Sequence, residues 1–273
     1  REMCIRDRNS INHKFPKISV GATQNILMAS TLADGISKLK NCAIEPEVID
    51  LINFLNKCGA NIKVKNRTIT IKGVEELNLE DYKVIPDRIE AGSYILATMA
   101  TKGWLRLNNF NPNDLTFPLK IYQDMGLKIK KISKTSYEFN CKRIKPLKKI
   151  STKEFPGYPT DLQAQLIATQ LKSALKSKVV ENIFENRFIH IPELRRFGAN
   201  LSIIGKTVTI HKTLNLFGAE VMATDIRASF SLIIAAMMSK GTTVINRIYH
   251  LDRGYEDFDL KLKKCGVNIS RKK

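Results

Sequence analysis

The sequence predicts an α/β protein built from repeated βαβαββ units, and three observations support this fold class. A helical segment that ends in glycine and is followed by a β-rich segment occurs four times, at Gly59, Gly126, Gly198 and Gly266. These glycines are 67, 72 and 68 residues apart. A longer, alanine-rich helical segment precedes each of them. So long a period is typical of supersecondary units that bury their faces against one another.

The longer helices are predicted over four ranges: Asn25–Asp34, Ile89–Thr101, Leu162–Leu175 and Ile226–Ser239. Three of them begin near an acidic residue that follows Pro or Thr, namely Asp87, Asp161 and Asp225. An acid at this position commonly caps a helix, because its oxygens accept hydrogen bonds from the free N–H groups of the first turn. The residues alone therefore predict helix capping for all three acids.

The shorter elements follow from glycine, proline and alternating apolar residues. A short helix is predicted from Pro192 to Gly198, because proline favours the first turn of a helix and glycine the position after its end. Hairpins are predicted over Ile62–Ile71 and Leu201–Ile210. The fourth unit has a single predicted strand, around Asn268. We expect another segment of the protein to pair with the open edge of that strand.

Length and composition indicate a globular protein without a membrane span. The chain has 273 residues, enough for one large or two ordinary domains, and 43% of them are apolar. No apolar run approaches the roughly 18 residues that a membrane span needs. The five cysteines are scattered, with no CxxC pair and no histidine at metal-ligand spacing. We therefore expect reduced thiols in a cytoplasmic protein, with no disulfide framework and no metal site.

The formal net charge is +19, from 45 basic and 26 acidic residues. One interpretation is a non-catalytic module that binds nucleic acid or another polyanion. A second is a lysine-rich chain with solvated faces, which we favour because the basic clusters are dispersed among hydrophobic segments and no aromatic platform accompanies them. A third is a site for an anionic small molecule, which needs only a few well-placed arginines.

The first residues, Arg1–Ser10, are polar and aperiodic and match no signal or transit pattern. We interpret residues 1–14 as a non-native or disordered leader on a chain that lacks its original N-terminal part.

Six sequence blocks carry a resemblance to a known family. They are SVGATQN (19–25), VIPDRIEAGSYILA (84–97), PGYPTDLQAQ (156–165), IFENRFIHIPELRRFGA (183–199), MATDIRASFSLIIA (222–235) and RIYHLDRGYE (247–256). Together, in this order, they resemble the UDP-N-acetylglucosamine 1-carboxyvinyltransferase family, over a region from about Phe15 to the C-terminus. Several long blocks at family-like spacing are specific, whereas any one of them alone would not be.

The resemblance implies a fold and an activity. The fold is an enolpyruvyl-transferase-like inside-out α/β barrel of two domains, with helices inside and sheets outside. Residues 15–84 would be the last repeat unit of a first domain, and residues 85–273 a second domain of three units. The activity is transfer of the enolpyruvyl group of phosphoenolpyruvate to the 3-hydroxyl of UDP-N-acetylglucosamine, the first committed step of peptidoglycan synthesis. The expected partners are these two small molecules, with no cofactor, no membrane and no nucleic acid.

The resemblance also implies roles for individual residues. Asp161 would be the base that accepts the proton of the sugar hydroxyl, and Arg253 would hold phosphoenolpyruvate. The other residues expected to contact substrate are Lys17, Ile18, Ser19, Val20, Gly21, Ile183, Phe184, Arg187, Asp225 and Arg227.

Each role has a structural alternative. The arginines could be surface or ion-paired residues, and Asp225 could pair with one of them. The segment at Ser19 could be a strand-to-helix turn capped by Thr23, while Ile183 and Phe184 could be strand core. His190 has no carboxylate partner in the sequence and is predicted to be structural.

Two family features have no counterpart in these residues: an N-terminal Lys-Asn pair, and a loop whose Cys or Asp is the proton donor. None of the five cysteines has a context like that loop. We therefore expect the chain to need a missing N-terminal domain and to be inactive alone.

Overall fold

The computed structural model describes residues 8–173 and 175–272, and the chain divides into two compact units between Ile85 and Pro86. The boundary expected from the sequence, between residues 84 and 85, lies one residue away. No helix in the described ranges has both the length and the apolar character that a membrane span requires.

The first unit is a four-stranded sheet covered on one face by two helices. Its elements are β1 (Asn12–Lys14), α1 (Val20–Thr31), β2 (Ile36–Lys40), α2 (Pro46–Lys57), β3 (Asn61–Lys65) and β4 (Thr68–Lys72). The strand order is β1-β2-β4-β3, with β1 parallel to β2 and the other pairs antiparallel. Alternate strand residues such as Leu39, Ile69 and Ile71 are fully buried and pack in a core that includes Leu27 and Val48. Period-two alternation thus gives the sheet one apolar and one polar face.

Strand β1 lies inside the segment that was expected to be a leader. Asn12 and Lys14 pair in register with Lys38 and Lys40, and the Ser10 N–H donates to the Asp34 carbonyl at 2.9 Å. The expectation of disorder through residue 14 is therefore wrong for residues 12–14. One edge of β2 pairs with β4. The backbone groups at its other edge would be unpaired without β1, which supplies their hydrogen-bond partners. Residues 1–7 lie outside the described part of the chain.

The second unit contains three further sheets and most of the helices. In chain order its elements are α3 (Arg88–Ala100), β5 (Trp104–Leu107), α4 (Thr116–Asp124), β6 (Lys128–Lys131), β7 (Tyr137–Asn140), β8 (Lys149–Ser151), α5 (Gln163–Thr169), β9 (Ser177–Val180), α6 (Ile191–Arg196), β10 (Leu201–Ile204), β11 (Thr207–Ile210), β12 (Glu220–Met222), α7 (Ser229–Met238), β13 (Val244–Asn246), α8 (Tyr249–Asp252) and α9 (Phe258–Lys264). The sheet orders are β5-β7-β6, β10-β11-β9-β8 and β12-β13. Short 3-10 turns at Pro112–Leu115 and Thr160–Leu162 precede α4 and α5.

Helices α3, α5 and α7 form the centre of the second unit. Every residue of α5 is buried, as are most residues of α3 and α7. Helix α3 approaches the start of α5 closely at Gly92, where an added Cβ would lie 2.7 Å from the Leu162 side chain. Helices buried on all sides, with sheets outside them, match the enolpyruvyl-transferase-like fold that was predicted.

The repeat glycines have the conformation that their spacing predicts. Gly59, Gly126, Gly198 and Gly266 have φ angles of +101°, +110°, +87° and +88°, and each follows the last residue of a helix or its C-cap. The left-handed region is accessible to glycine at little steric cost, so these residues reverse the chain after α2, α4, α6 and α9. The repeat is thus confirmed at its four turns.

Several predicted elements differ from the structure. The first long helix, expected over Asn25–Asp34, spans Val20–Thr31. The helix expected through Leu175 ends at Thr169, where Gln170 turns aside and its Oε1 accepts from Leu147 N (3.1 Å) and Ser177 Oγ (3.0 Å). The strand expected around Asn268 is absent from the described residues after α9. In the described residues no strand pairs with the segment around Asn268, so this segment does not form the inter-strand hydrogen bonds of a sheet.

Candidate functional site

Two of the three acids near the starts of the central helices accept hydrogen bonds from nearby backbone N–H groups. Asp87 Oδ1 accepts from Ile89 N (2.7 Å) and Glu90 N (3.1 Å) at the start of α3. Asp225 Oδ1 accepts from the backbone N–H groups of Arg227 (2.9 Å) and Ala228 (2.6 Å) in the turn before α7. The capping predicted for Asp87 is confirmed, whereas Asp225 caps the turn before α7 and not the helix itself, whose N-cap is Ala228.

Asp161 behaves differently, and the capping predicted for it is wrong. It lies in the 3-10 turn Thr160–Leu162, where main-chain carbonyls already accept from the N–H groups of Leu162 and Gln163. Its carboxylate is therefore free of the backbone and reaches another part of the chain. Asp161 Oδ1 accepts from Arg187 Nη2 at 2.5 Å.

Arg187 is held at three places on its guanidinium. Nη2 bonds Asp161, Nη1 donates to Thr160 Oγ1 at 3.0 Å, and the Phe184 ring lies beneath it with its centroid 4.8 Å from Cζ. The Arg187 and Asp161 side chains remain 23% and 39% exposed. Within the described residues Asp161 Oδ2 accepts no hydrogen bond. The pair thus presents solvent with a fixed cation and a carboxylate that has one open oxygen.

Glu181 supports this pair from below. It is 1% exposed and follows β9, where both of its oxygens are bonded. Oε1 accepts from Thr152 Oγ1 (2.8 Å) and from the N–H groups of Ile183 (2.8 Å) and Phe184 (3.1 Å), while Oε2 accepts from Thr160 Oγ1 (2.7 Å). A buried carboxylate must be compensated in this way, because desolvation penalises an unpaired charge.

Sequence reasoning did not identify Glu181. The available signal was an acid directly after the apolar end of a predicted strand, in Val179-Val180-Glu181. The structure shows that this acid joins the end of β9, the loop that carries Phe184, and the turn that carries Asp161.

A second ion pair joins the other two helix starts. Arg227 Nη2 donates to Asp87 Oδ2 at 2.8 Å, Nη1 donates to the Gly254 carbonyl at 2.9 Å, and Cζ lies 5.3 Å from the Tyr255 ring centroid. Burial acts to lower the pKa of Arg227, but the neighbouring Asp87, with smaller contributions that include Asp161, outweighs it and raises that pKa. The anion that pairs with this guanidinium is therefore Asp87, whereas Asp225 contacts Arg227 through its main-chain N–H and not through its guanidinium.

A buried polar cluster lies under the two ion pairs. Gln165 Nε2 is within hydrogen-bonding distance of the Asp161 carbonyl (2.9 Å), Ser93 Oγ (3.1 Å) and Tyr255 OH (3.1 Å). Burial raises the pKa of Tyr255 to about 12, so its phenol is neutral near pH 7. Residues from α3, α5 and the segment after α8 thus fix the position of the Asp161 main chain.

The remaining candidates of the second unit lie on the surface. Arg253 follows α8, is exposed and has no ion-pair partner among the described residues. Ile183 and Phe184 lie in the loop after β9, and Phe184 is 54% exposed, so the strand-core alternative is wrong for both. Phe184 and Arg187, with Ile189 and Lys206, line an open cleft of about 530 Å³.

In the first unit, Lys17 to Gly21 form the entry to α1. Ser19 is the N-cap, and its Oγ accepts from Ala22 N at 3.3 Å. Thr23, the cap expected in the structural alternative, is instead buried and accepts from Ala43 N at 3.0 Å. Nothing lies within 4 Å of a Cβ added to Gly21, so packing within the unit does not require glycine there.

His190 is fully buried at the start of α6. Burial, with a smaller effect of the Arg187 charge, lowers its pKa to about 3, so its ring is neutral near pH 7. Neither ring nitrogen has a hydrogen-bond partner in the described part of the chain. Its surroundings suit a packed side chain rather than a proton carrier.

Comparison with known proteins identifies the family of this fold and site. The family model described as EPSP synthase (3-phosphoshikimate 1-carboxyvinyltransferase) matches residues 3–262. The chain belongs to the EPSP synthase family. The matched region includes residues of both compact units and all the candidate residues described above.

The curated relatives with high sequence identity show which members of this family the chain resembles. The chain is 49% identical over 261 residues to the UDP-N-acetylglucosamine 1-carboxyvinyltransferase of Pelagibacter ubique, and 46% identical over 263 residues to that of Bartonella henselae. The alignments cover 95% of this chain but 62% and 61% of those proteins. The chain thus spans about three fifths of the length of these relatives.

Solved structures of enolpyruvyl transferases have the same fold. The enolpyruvyl transferase NikO from Streptomyces tendae superposes with a TM-score of 0.81 at 25% identity, over 92% of this chain and 60% of that one. The EPSP synthase from Acinetobacter baumannii superposes with a TM-score of 0.74 at 15% identity, over 97% of this chain and 64% of that one. At 15% identity the second likeness supports the fold alone.

Proposed function

We propose that this chain is part of an enolpyruvyl transferase that acts on UDP-N-acetylglucosamine and phosphoenolpyruvate. The enolpyruvyl group would pass to the 3-hydroxyl of the sugar, and phosphate would be released. The names of relatives that are 45–49% identical support the substrates. The observation that carries the proposal is the Asp161 carboxylate, with one oxygen held by Arg187 and the other open.

Asp161 is proposed as the base. A carboxylate oxygen within hydrogen-bond reach of a substrate hydroxyl can accept its proton as the hydroxyl oxygen forms a bond to C2 of phosphoenolpyruvate. A separate acid adds a proton to C3 in the same addition. The resulting tetrahedral intermediate then loses phosphate from C2 and a proton from C3, which restores the C2=C3 double bond in the enolpyruvyl product. Arg187 and Glu181 contribute by positioning, because Arg187 anchors the first oxygen of Asp161 and Glu181 anchors Thr160 beside it.

Arg253, Arg227 and Arg187 are proposed to bind the anionic groups of the substrates. A guanidinium offers several N–H donors in one plane and keeps its charge, which suits carboxylate and phosphate. Arg253 is exposed, and its donors are free of ion pairs in the described ranges, so it is the arginine most available to phosphoenolpyruvate. Asp225 contributes indirectly, by capping the turn that carries Arg227.

The nucleotide-sugar is proposed to contact Ile183 and Phe184. Their N–H groups are held by Glu181, and the exposed Phe184 ring borders the open cleft beside Arg187. Lys17, Ile18, Ser19, Val20 and Gly21 are proposed to bind the UDP portion, for which the free N–H groups at the start of α1 offer donors to a phosphate. With these substrates the proposed reaction would take place in the cytoplasm as a step of peptidoglycan synthesis. Through the cell wall it would contribute to cell shape and cell division.

Binding of UDP-N-acetylglucosamine to the purified chain tests this proposal without requiring turnover. Ligand-observed NMR should show saturable binding, which Asp161→Asn and Arg253→Ala weaken about tenfold each, as expected for hydrogen bonds to charged groups. Asp124→Asn and Arg106→Ala are matched controls, because both residues are exposed and belong to other elements of the second unit. No saturable binding, or equal loss in the controls, would contradict the proposed site.

A further inference from the structure

The outer face of the sheet in the first unit carries an unusual set of side chains. The inner face packs on α1 and α2, and the outer face is open to solvent. Six lysines project from this outer face, here called the lysine face: Lys14, Lys38, Lys40, Lys63, Lys65 and Lys72. All six are exposed.

The strand register brings these lysines into rows. Lys40 of β2 pairs with Lys14 of β1 and with Thr68 of β4, which in turn pairs with Lys65 of β3. The next row has the same form and contains Asn12, Lys38, Thr70 and Lys63. The last row places Lys72 between Ile36 and Asn61.

No acidic residue interrupts the lysine face. Residues 8–85 contain eight acids, and all of them lie on other segments: Asp34, Glu45, Glu47, Asp50, Glu75, Glu76, Glu80 and Asp81. None of the six ammonium groups is ion-paired within the described part of the chain. Neither an arginine nor an aromatic residue lies in the three rows.

The sister sheets show that the fold does not require this charge. In the sheet β5-β7-β6, Glu138 lies in the middle strand and forms an ion pair with Arg106. In the sheet β10-β11-β9-β8, the edge strand exposes Ile203 and Ile204. Six like charges on one face repel one another, so they do not stabilise the unit. Their clustering indicates an anionic partner.

We propose that the lysine face binds the surface of an anionic lipid bilayer. Neighbouring strands are about 4.8 Å apart and alternate residues about 6.8 Å apart, so the face covers roughly 14 Å in each direction. A planar array of point charges suits a plane of lipid phosphates, and Ile36, which is 64% exposed, lies at its margin. Such peripheral binding needs no membrane-spanning segment.

A nucleic acid partner is less well matched to this face. Single strands are commonly bound by stacking on aromatic side chains, and none projects from the three rows. Arginine, which recognises phosphates in a bidentate manner, is also missing from them.

The lysines come from four strands in separate segments of the sequence, so only the register reveals the array.

Co-sedimentation with lipid vesicles tests the proposal. The full chain should bind vesicles in which about a third of the lipid is phosphatidylglycerol, should not bind pure phosphatidylcholine vesicles, and should dissociate at about 0.5 M salt. Combined replacement of Lys38, Lys40, Lys63 and Lys65 by Gln should weaken binding several-hundredfold, since each lysine near such a surface contributes about fivefold.

The matched control replaces Lys128, Lys130, Lys131 and Lys134 by Gln, which removes the same charge from an exposed part of the second unit. It should bind like the unmodified chain, and circular dichroism should show both variants folded. Equal weakening in the two variants would mean that net charge alone drives binding and would overturn the proposal. So would an absence of vesicle binding, or tighter binding to duplex DNA that the first variant abolishes.

Discussion

Arg187 holds one carboxylate oxygen of Asp161 at 2.5 Å and leaves the other without a partner among the described residues. The sister acids Asp87 and Asp225 instead use one oxygen to accept backbone N–H groups, at the start of α3 and in the turn before α7. Of three acids at equivalent places in the repeat, Asp161 is thus the one whose carboxylate is not engaged by the backbone. Asp87 also pairs with an arginine, so what distinguishes the proposed base is a carboxylate that makes no bond to the backbone and keeps one oxygen open among the described residues.

Replacing Arg187 should therefore affect ligand binding more than stability. The pair is partly exposed, so Arg187→Ala should lower the free energy of unfolding by about 1 kcal/mol or less. It should weaken UDP-N-acetylglucosamine binding about tenfold or more, because Asp161 loses its anchor and the site loses a cation. Titration calorimetry and urea unfolding measure the two effects.

Arg187→Lys should be intermediate, because it retains the charge without the planar fork that reaches both Asp161 and Thr160. Arg106→Ala, which breaks the exposed pair with Glu138, is the control and should leave binding unchanged. A stability loss in Arg187→Ala without a binding loss would contradict the assigned role.

Glu181 should matter for stability as well as for the site. Glu181→Ala leaves two backbone N–H groups and the Thr152 and Thr160 hydroxyls without their acceptor, and should lower the free energy of unfolding by about 3 kcal/mol. Glu181→Gln preserves the volume but has one acceptor oxygen in place of two, and should lose about 2 kcal/mol. Urea unfolding measures both.

Glu185, which is exposed four residues later, provides the control. Glu185→Gln should unfold like the unmodified chain. If Glu181→Gln also left the free energy of unfolding unchanged, the four hydrogen bonds of Glu181 would not hold the loop in place as described.

Features set by local sequence were predictable. The four repeat glycines have positive φ because a left-handed residue ends a helix at little steric cost only when it is glycine. The bonds by which Asp87 caps α3 and Asp225 caps the turn before α7 join residues two or three positions apart, so they could be predicted from local sequence. The fold class followed from the spacing of such local signals, and the family from the resemblance of six sequence blocks.

Features that depend on distant contacts were not predictable from local pattern. Asp161 meets Arg187 across 26 residues, and the 3-10 turn that frees its carboxylate has no strong sequence signal. Pairing of Asp225 with an arginine side chain was one alternative from the sequence, whereas Arg227 reaches Asp87 across 140 residues. The rows of the lysine face likewise depend on the strand register, which joins residues that are far apart in the chain.

His190 should make stability depend on pH. Its folded pKa of about 3 lies below the unfolded value of 6.5, so between these values the unfolded chain binds the additional proton. The contribution of His190 to the free energy of unfolding is fully present above pH 6.5 and is lost as the pH falls. The loss between pH 7.5 and pH 5 is about 2 kcal/mol. Urea unfolding at the two pH values measures it.

His190→Phe removes the titrating group and should flatten this part of the pH dependence, whatever its own stability at pH 7.5. NMR should also show that the imidazole signals of His190 do not move between pH 7.5 and pH 5. An unchanged pH dependence in the variant would mean that His190 is not the group responsible.

Gly73 should tolerate no side chain, because an added Cβ would lie 1.6 Å from the Ala33 carbonyl oxygen. The obstacle is backbone, so Gly73→Ala must shift the turn before β2 or the end of β4, and should destabilise the first unit by about 3 kcal/mol. Gly21→Ala, in the same unit, meets nothing within 4 Å and lies in a helix, so it should be neutral or slightly stabilising. Amide hydrogen exchange of β2 and β4 resolves the first unit from the second. Equal protection in the two variants would show that the turn relaxes freely around the new methyl group.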